Sequence, residues 1–182
     1  MVRLKLLAFS ALLALSGCNS VPEGVQPVTD FELPRYLGTW YEVARLDHSF
    51  ERGLEQVTAN YSLAEDGTVV VVNRGYDQQD GEWQSAEGKA KFVSDKDIGH
   101  LQVSFFGPIY MSYVIAELQE HDEPSAQDSH DYQTSFVVGY STDYVWLLSR
   151  TPEVSEQVRQ QFIGFVESLD IDANQLIWVN HK

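Results

Sequence analysis

Gly38-Thr39-Trp40-Tyr41-Glu42-Val43-Ala44-Arg45 reads as an extended segment, opened by a glycine and carried by aromatic and β-branched side chains. It is the first of a series. Segments of period two continue down the chain and predict strands over 39–47, 56–64, 68–76, 83–93, 100–106, 110–119, 131–139 and 144–150. Turn residues separate them at Asp66-Gly67, Asp80-Gly81, Gly107-Pro108 and near Ser141. Eight consecutive antiparallel strands with short links can close into a barrel, which removes every unpaired edge and leaves room inside for one small ligand. The same pattern also fits two packed sheets with a solid core.

After the eighth strand, Thr151-Pro152-Glu153 has the order of an N-cap, a proline at the first helical position and an acid in the first turn. Val154, Val158, Phe162, Phe165 and Leu169 then recur at helical spacing, predicting an amphipathic helix of about 15 residues laid on the outside of the sheet. A short last strand, Gln175 to Val179, carries Trp178 as its anchor.

Gly38-Thr39-Trp40 resembles the Gly-x-Trp motif that opens the first strand of the lipocalins. Phe50-Glu51-Arg52-Gly53-Leu54, Glu87-Gly88-Lys89-Ala90, Val103 to Pro108, Asp143 to Pro152 and Ile177-Trp178-Val179 extend the resemblance from about Phe31 to the end. They are similar to the bacterial outer-membrane lipocalins and the apolipoprotein D branch. The family's Thr-Asp-Tyr motif is matched only in part, by Asp131-Tyr132. The resemblance implies an all-β fold, an eight-stranded up-and-down barrel with a C-terminal helix outside and a short ninth strand. It further implies binding of fatty acids or lysophospholipids. Counting strand passes returns Arg150 to the closed base beside Trp40, where guanidinium on indole would form a structural lid together with Gly38.

The same counting puts the loops 48–54, 77–82, 107–109 and 140–143 at the open end. Phe50 and Leu54 are apolar residues in a loop, expected to cover a ligand, a second subunit or lipid, or to fold back into the barrel. Alternation turns Ala86, Gly88, Ala90 and Phe92 inward on the fourth strand, opposite Glu87, Lys89 and Lys91. Phe105, Tyr113, Phe136, Val138 and Trp146 complete the expected ligand wall, with both faces of the sixth strand apolar. Arg45, Arg52, Arg74 or Tyr76 near the rim could meet a carboxylate or phosphate head group. A tetrapyrrole is the other ligand class, without an identifiable propionate clamp.

The leader has basic Arg3 and Lys5 followed by an apolar run of about ten residues, the make-up of a signal peptide and too short for a ~30 Å hydrocarbon layer. It ends in Leu15-Ser16-Gly17-Cys18, similar to the lipobox of bacterial lipoproteins. The expected organisation is a signal peptide over 1–17, a lipidated N-terminus and flexible tether over 18–30, and the lipocalin domain over 31–182. Three acyl chains on Cys18 would hold the protein firmly to the membrane. Asn19 in place of an aspartate implies the outer membrane, with the domain facing the periplasm.

Cys18 is the only cysteine, so no disulfide can form within the chain. Twelve basic side chains, ten once Arg3 and Lys5 leave with the leader, face 27 acidic ones. That balance argues against nucleic acid as a partner. The acidic stretch from Gln119 to His130 contains His121 and carboxylates without metal-ligand spacing and reads as a solvated loop. No G-x-S-x-G, H-E-x-x-H or phosphate loop occurs, and the one thiol is committed to lipid. The reading is a non-enzymatic lipid carrier of the cell envelope without cofactor or metal, serving membrane maintenance or stress; a structural envelope lipoprotein without a dedicated ligand is the alternative. Replacing Cys18 by Ala is expected to abolish membrane retention, scored by cell fractionation, while the domain's lipid affinity stays within about twofold.

Overall fold

The computed structural model describes residues 20–120 and 132–182. Eight antiparallel strands form the wall: β1 (Gly38–Arg45), β2 (Leu54–Leu63), β3 (Val69–Asp77), β4 (Glu82–Phe92), β5 (His100–Phe106), β6 (Ile109–Gln119), β7 (Thr134–Val138) and β8 (Val145–Ser149). Each pairs with the next, and β1 pairs with both β2 and β8, which closes the barrel and decides against the sandwich. Closure is shared along β1. Its first half, Gly38 to Tyr41, bonds to β2, and β9 (Ile177–Trp178) takes over at Ala44 and Arg45. The chain end bridges the gap, with the Gln56 amide donating to Asn180 O at 2.8 Å.

The wall separates two cores. Inside lie Phe31, Tyr36, Trp40, Tyr61, Val71, Ile115, Val137 and Leu148; outside, under helix α2 (Glu156–Ser168), lie Val43, Ala44, Val114, Phe136, Val138, Val145, Phe162 and Val166. Helix α2 begins later than its sequence suggests. Ser155 is the N-cap, its hydroxyl accepting from the Val158 amide at 3.3 Å, whereas the Thr151 hydroxyl donates to Glu153 O. Thr151-Pro152-Glu153 is therefore a turn that precedes the helix.

Residues 21–30, expected to be a flexible tether, are docked instead. The Val28 amide donates to Ile115 O and Val28 O accepts from the Gly99 amide, both at 2.9 Å. Val25 is buried in the outer core. Val21 and Val25 pack in the outer core and Val28 against the inner one, burial that the segment's prolines and glycine obscured. The one-turn helix α1 (Leu33–Tyr36) follows and inserts Tyr36 into the base.

The base is sealed as strand counting predicts. Arg150 Cζ lies 3.9 Å from the Trp40 ring centroid. The guanidinium donates from Nη1 to Thr39 O, from Nη2 to Arg35 O and from Nε to Tyr132 O, at 2.9, 2.9 and 3.1 Å. Trp40 Nε1 donates to Tyr36 O at 2.8 Å, so the fully buried indole has its only donor satisfied. Gly38 has φ +95°, and a Cβ there would sit 3.4 Å from Arg150 Nη1. A left-handed backbone at that point is what lets the guanidinium reach across. Arg150→Ala removes the stacking and three charged hydrogen bonds and should cost ~2–4 kcal/mol in urea unfolding. Arg150→Lys, with no planar fork, is expected to recover only a minor part of that loss.

Candidate functional site: a cavity in the upper barrel

Packing of Tyr36, Trp40, Phe31 and Phe92 fills the lower barrel, and the space left above them is a cavity of about 240 Å³ that opens at the mouth. Its wall is mainly apolar, from Val57, Ala59, Val71, Val103, Met111 and Leu148, with Phe105 and Ala86. The floor is polar. Tyr61 and Tyr113 share a hydrogen bond at 2.8 Å, and Tyr113 shares another with Tyr36 at 2.8 Å. Burial pushes the Tyr36 hydroxyl up to about 12, against smaller lowering contributions from Ser135, Tyr113 and Arg150. Tyr61 and Tyr113 also lie well above the usual tyrosine value, first because of burial. All three hydroxyls are neutral near pH 7 and available as donors or acceptors.

The expected wall residues divide. Phe50, Leu54, Ala86, Phe105, Tyr113 and Trp146 line the cavity. Gly88, Ala90 and Phe92 occupy the inward face of β4 as alternation requires, but below the open space. Gly88 lies under Phe105, where a Cβ would come within 2.9 Å of the ring, and Ala90 and Phe92 belong to the filled base. Phe136 and Val138 face the other way. They pack under α2, with the Phe136 and Phe162 rings 5.0 Å apart, and Val137 points inside. All five β7 residues are buried, so hydrophobic alternation along that strand has no amplitude to read. The register settles it: Val137 pairs with Trp146, and cross-strand partners share a face. The acidic loop from His121 and Cys18, the expected lipidation site, lie outside the described residues. Among the described residues no group of three or more His, Cys, Asp or Glu side chains is placed to hold a metal ion.

A charged cluster in the upper wall was not anticipated. Glu42, Arg45, His48 and Glu51 are all buried. Strict alternation from Trp40 and Glu42 would turn Arg45 outward. A bulge between Glu42 and Ala44 instead sends Val43 and Ala44 together into the outer core and brings Arg45 inward, paired with Trp146. Arg45 Nη1 donates to Glu42 Oε1 at 2.7 Å, and Nη2 donates to Glu51 O and Leu54 O at 2.9 and 3.0 Å. Glu51 Oε2 accepts from Trp146 Nε1 at 3.0 Å and lies 3.1 Å from His48 Nε2. Arg45 thus pins the mouth loop and is engaged within the protein. Arg52 is held by Asp47 on the surface, at 2.9 Å. Of the expected rim arginines only Arg74 both lines the cavity and remains exposed.

Burial, and then the facing Glu51 carboxylate, raise the Glu42 carboxyl well above its ordinary value, despite Arg45. Burial alone would raise Glu51 too, but hydrogen bonds from His48 and Trp146 prevail and hold it below the usual range. The two carboxyls are driven in opposite directions, Glu42 toward holding a proton and Glu51 toward losing it.

A family model for the lipocalin-like domain matches residues 31–181, and the chain belongs to that family. It is 52% identical over 168 residues to the outer membrane lipoprotein Blc of Vibrio cholerae, covering 92% of this chain and 93% of the relative. It is 43% identical over 174 residues to the protein of the same name from Citrobacter freundii, covering 94% and 93%. Among solved structures, insecticyanin from the tobacco hornworm Manduca sexta superposes with a TM-score of 0.65 at 19% identity, over 87% of this chain and 85% of that one, a likeness of fold.

The Glu42 proton is bound more tightly by the folded protein than by the unfolded chain. Its stabilising contribution is complete below the ordinary carboxyl value of 4.5 and is lost as pH rises through the raised folded value. Glu42→Gln should therefore flatten the decline of stability with rising pH over that interval, measured by urea titrations from pH 4 to 8.

Proposed function

We propose that the protein is a lipid carrier of the cell envelope, taking fatty acids or lysophospholipids into the barrel and storing or ferrying them without a covalent step. The observation that carries this is the apolar cavity with one open end. A slender acyl chain leaves water in such a space at ~25 cal/mol per Å² without directional partners. Phe50, Phe106 and Ile109 at the mouth are 52%, 72% and 64% exposed. They offer apolar surface to the part of a long chain that the filled base cannot admit.

The protein sits at the outer membrane, as the names of its bacterial relatives state for them, anchored through Cys18 and facing the periplasm. The docked N-terminal segment supports a close approach. Val21, three residues after Cys18, already packs in the outer core. At ~3.5 Å per residue the anchor then stands within about 10 Å of the domain. Gly24 lies against Leu169 at the C-terminal end of α2, from which the chain leads to β9 beside Ala44 and Arg45, at the level of the mouth. Gly24 and the mouth share one end of the barrel, so a lipid delivered near that segment has a short path to the cavity.

Native mass spectrometry of the protein purified from its cell envelope is expected to show one acyl-chain ligand per barrel; a ligand-free spectrum under gentle extraction would sink the proposal. The same spectrum reads whether two copies pair. Ala86→Trp, filling the cavity from β4, should weaken binding of a lysophospholipid about tenfold or more with little change in thermal stability, measured by fluorescence titration and calorimetry.

A further inference from the structure

Two carboxyl groups, Glu42 and Glu51, and one guanidinium, Arg45, are buried together in the upper part of the barrel, and both carboxyls line the cavity. With both acids ionised the trio is one positive charge short. The remaining neighbour, His48, is buried and lines the cavity with its Nδ1 lacking a hydrogen-bond partner. Rings gather around the same point. His48 lies 5.2 Å from Trp146, 5.5 Å from Tyr144 and 5.8 Å from Phe50, centroid to centroid, and all four line the cavity. The other cation of the cavity wall, Arg74 on β3, is exposed and occupied with the Trp83 ring at 4.0 Å. Burial and the facing Glu51 carboxylate push the Glu42 carboxyl well above its ordinary value, which favours a proton there.

We propose that this neck is a subsite for an ammonium head group, primary or quaternary, of a single-chain amphiphile whose tail fills the cavity. The assignment rests on the carrier reading and adds the head-group class to it. An ammonium that displaces the hydrogen bond between the Glu42 and Glu51 carboxyls supplies the missing charge, and Glu42 gives up its proton to solvent. Methyl or methylene groups next to the nitrogen then meet the faces of Tyr144, Trp146 and Phe50, where the ring quadrupoles favour a cation. A carboxylate head group in the same place adds a negative charge beside Glu51 and keeps Glu42 protonated.

Titration calorimetry at neutral pH with dodecyltrimethylammonium and dodecanoate, equal in chain length, tests the assignment. The trimethylammonium is expected to bind about tenfold more tightly, with close to one proton released, seen as a binding enthalpy that depends on the buffer. Glu42→Gln should abolish the proton release and shrink the preference to less than about threefold. Tyr144→Leu, which leaves the charges in place, should reduce the preference while dodecanoate affinity changes little, and it provides the test where Glu42→Gln does not fold. Equal or tighter binding of dodecanoate by the unaltered protein, or a preference retained in the folded variants, overturns the assignment and leaves the carrier reading standing. Binding of neither amphiphile overturns both.

Discussion

The stacking of Arg150 on Trp40 is the contact on which the rest of the architecture rests. A closed barrel needs one end plugged if its interior is to be dry, and a plug of side chains must bury polar atoms without orphaning them. The indole has a single donor, used on Tyr36 O, and the guanidinium covers its face while joining three backbone carbonyls from α1, the start of β1 and the approach to β7. First and last strands of the barrel are thereby tied at one point. With the base filled by Tyr36, Phe31 and Phe92, free volume can exist only above, so the position of the cavity follows from the way the floor is built.

The upper barrel is organised differently. Where the base is closed by a cation on an aromatic ring, the neck holds a guanidinium buried against the Glu42 carboxyl and the backbone of Glu51. Arg45 binds the carbonyls of Glu51 and Leu54 and so fixes the loop that covers the mouth. Desolvating such a group is costly, and it persists because the guanidinium bonds to the Glu42 carboxyl and two backbone carbonyls while Glu51 meets His48 and Trp146. Glu42 and Glu51 in the wall give the cavity a polarity that its apolar side chains alone would lack. A binding protein built in this way can receive the tail by hydrophobic burial and select among head groups by charge, two contributions that different parts of the wall supply.

Docking of residues 21–30 against the barrel changes the relation between anchor and domain. A free tether would let the barrel tumble over the membrane, whereas a segment hydrogen-bonded at Val28 and packed at Val25 holds the chain along the barrel side. The ordering entropy of that segment, ~1–2 kcal/mol per residue, is offset by burial of its valines and by the backbone pairing with Gly99 and Ile115.

The sequence by itself determined the number and order of the strands, the helix on the outside, the Trp40 and Arg150 lid and the inward face of β4. Each of these is written in local periodicity or in strand parity, which a linear chain displays directly. Only the tertiary structure decided which inward residues touch free space and which are packed: Ala86 lines the cavity and Ala90 does not, because Phe31, Tyr36 and Trp40, distant in sequence, join Phe92 to fill the base. It also decided β7, where burial on both faces erases the alternation that would separate Phe136 from Val137. The neck cluster was hidden for a third reason. A bulge of one residue in β1 reverses the parity of Arg45, and a bulge is a property of the pairing between strands, absent from either strand alone.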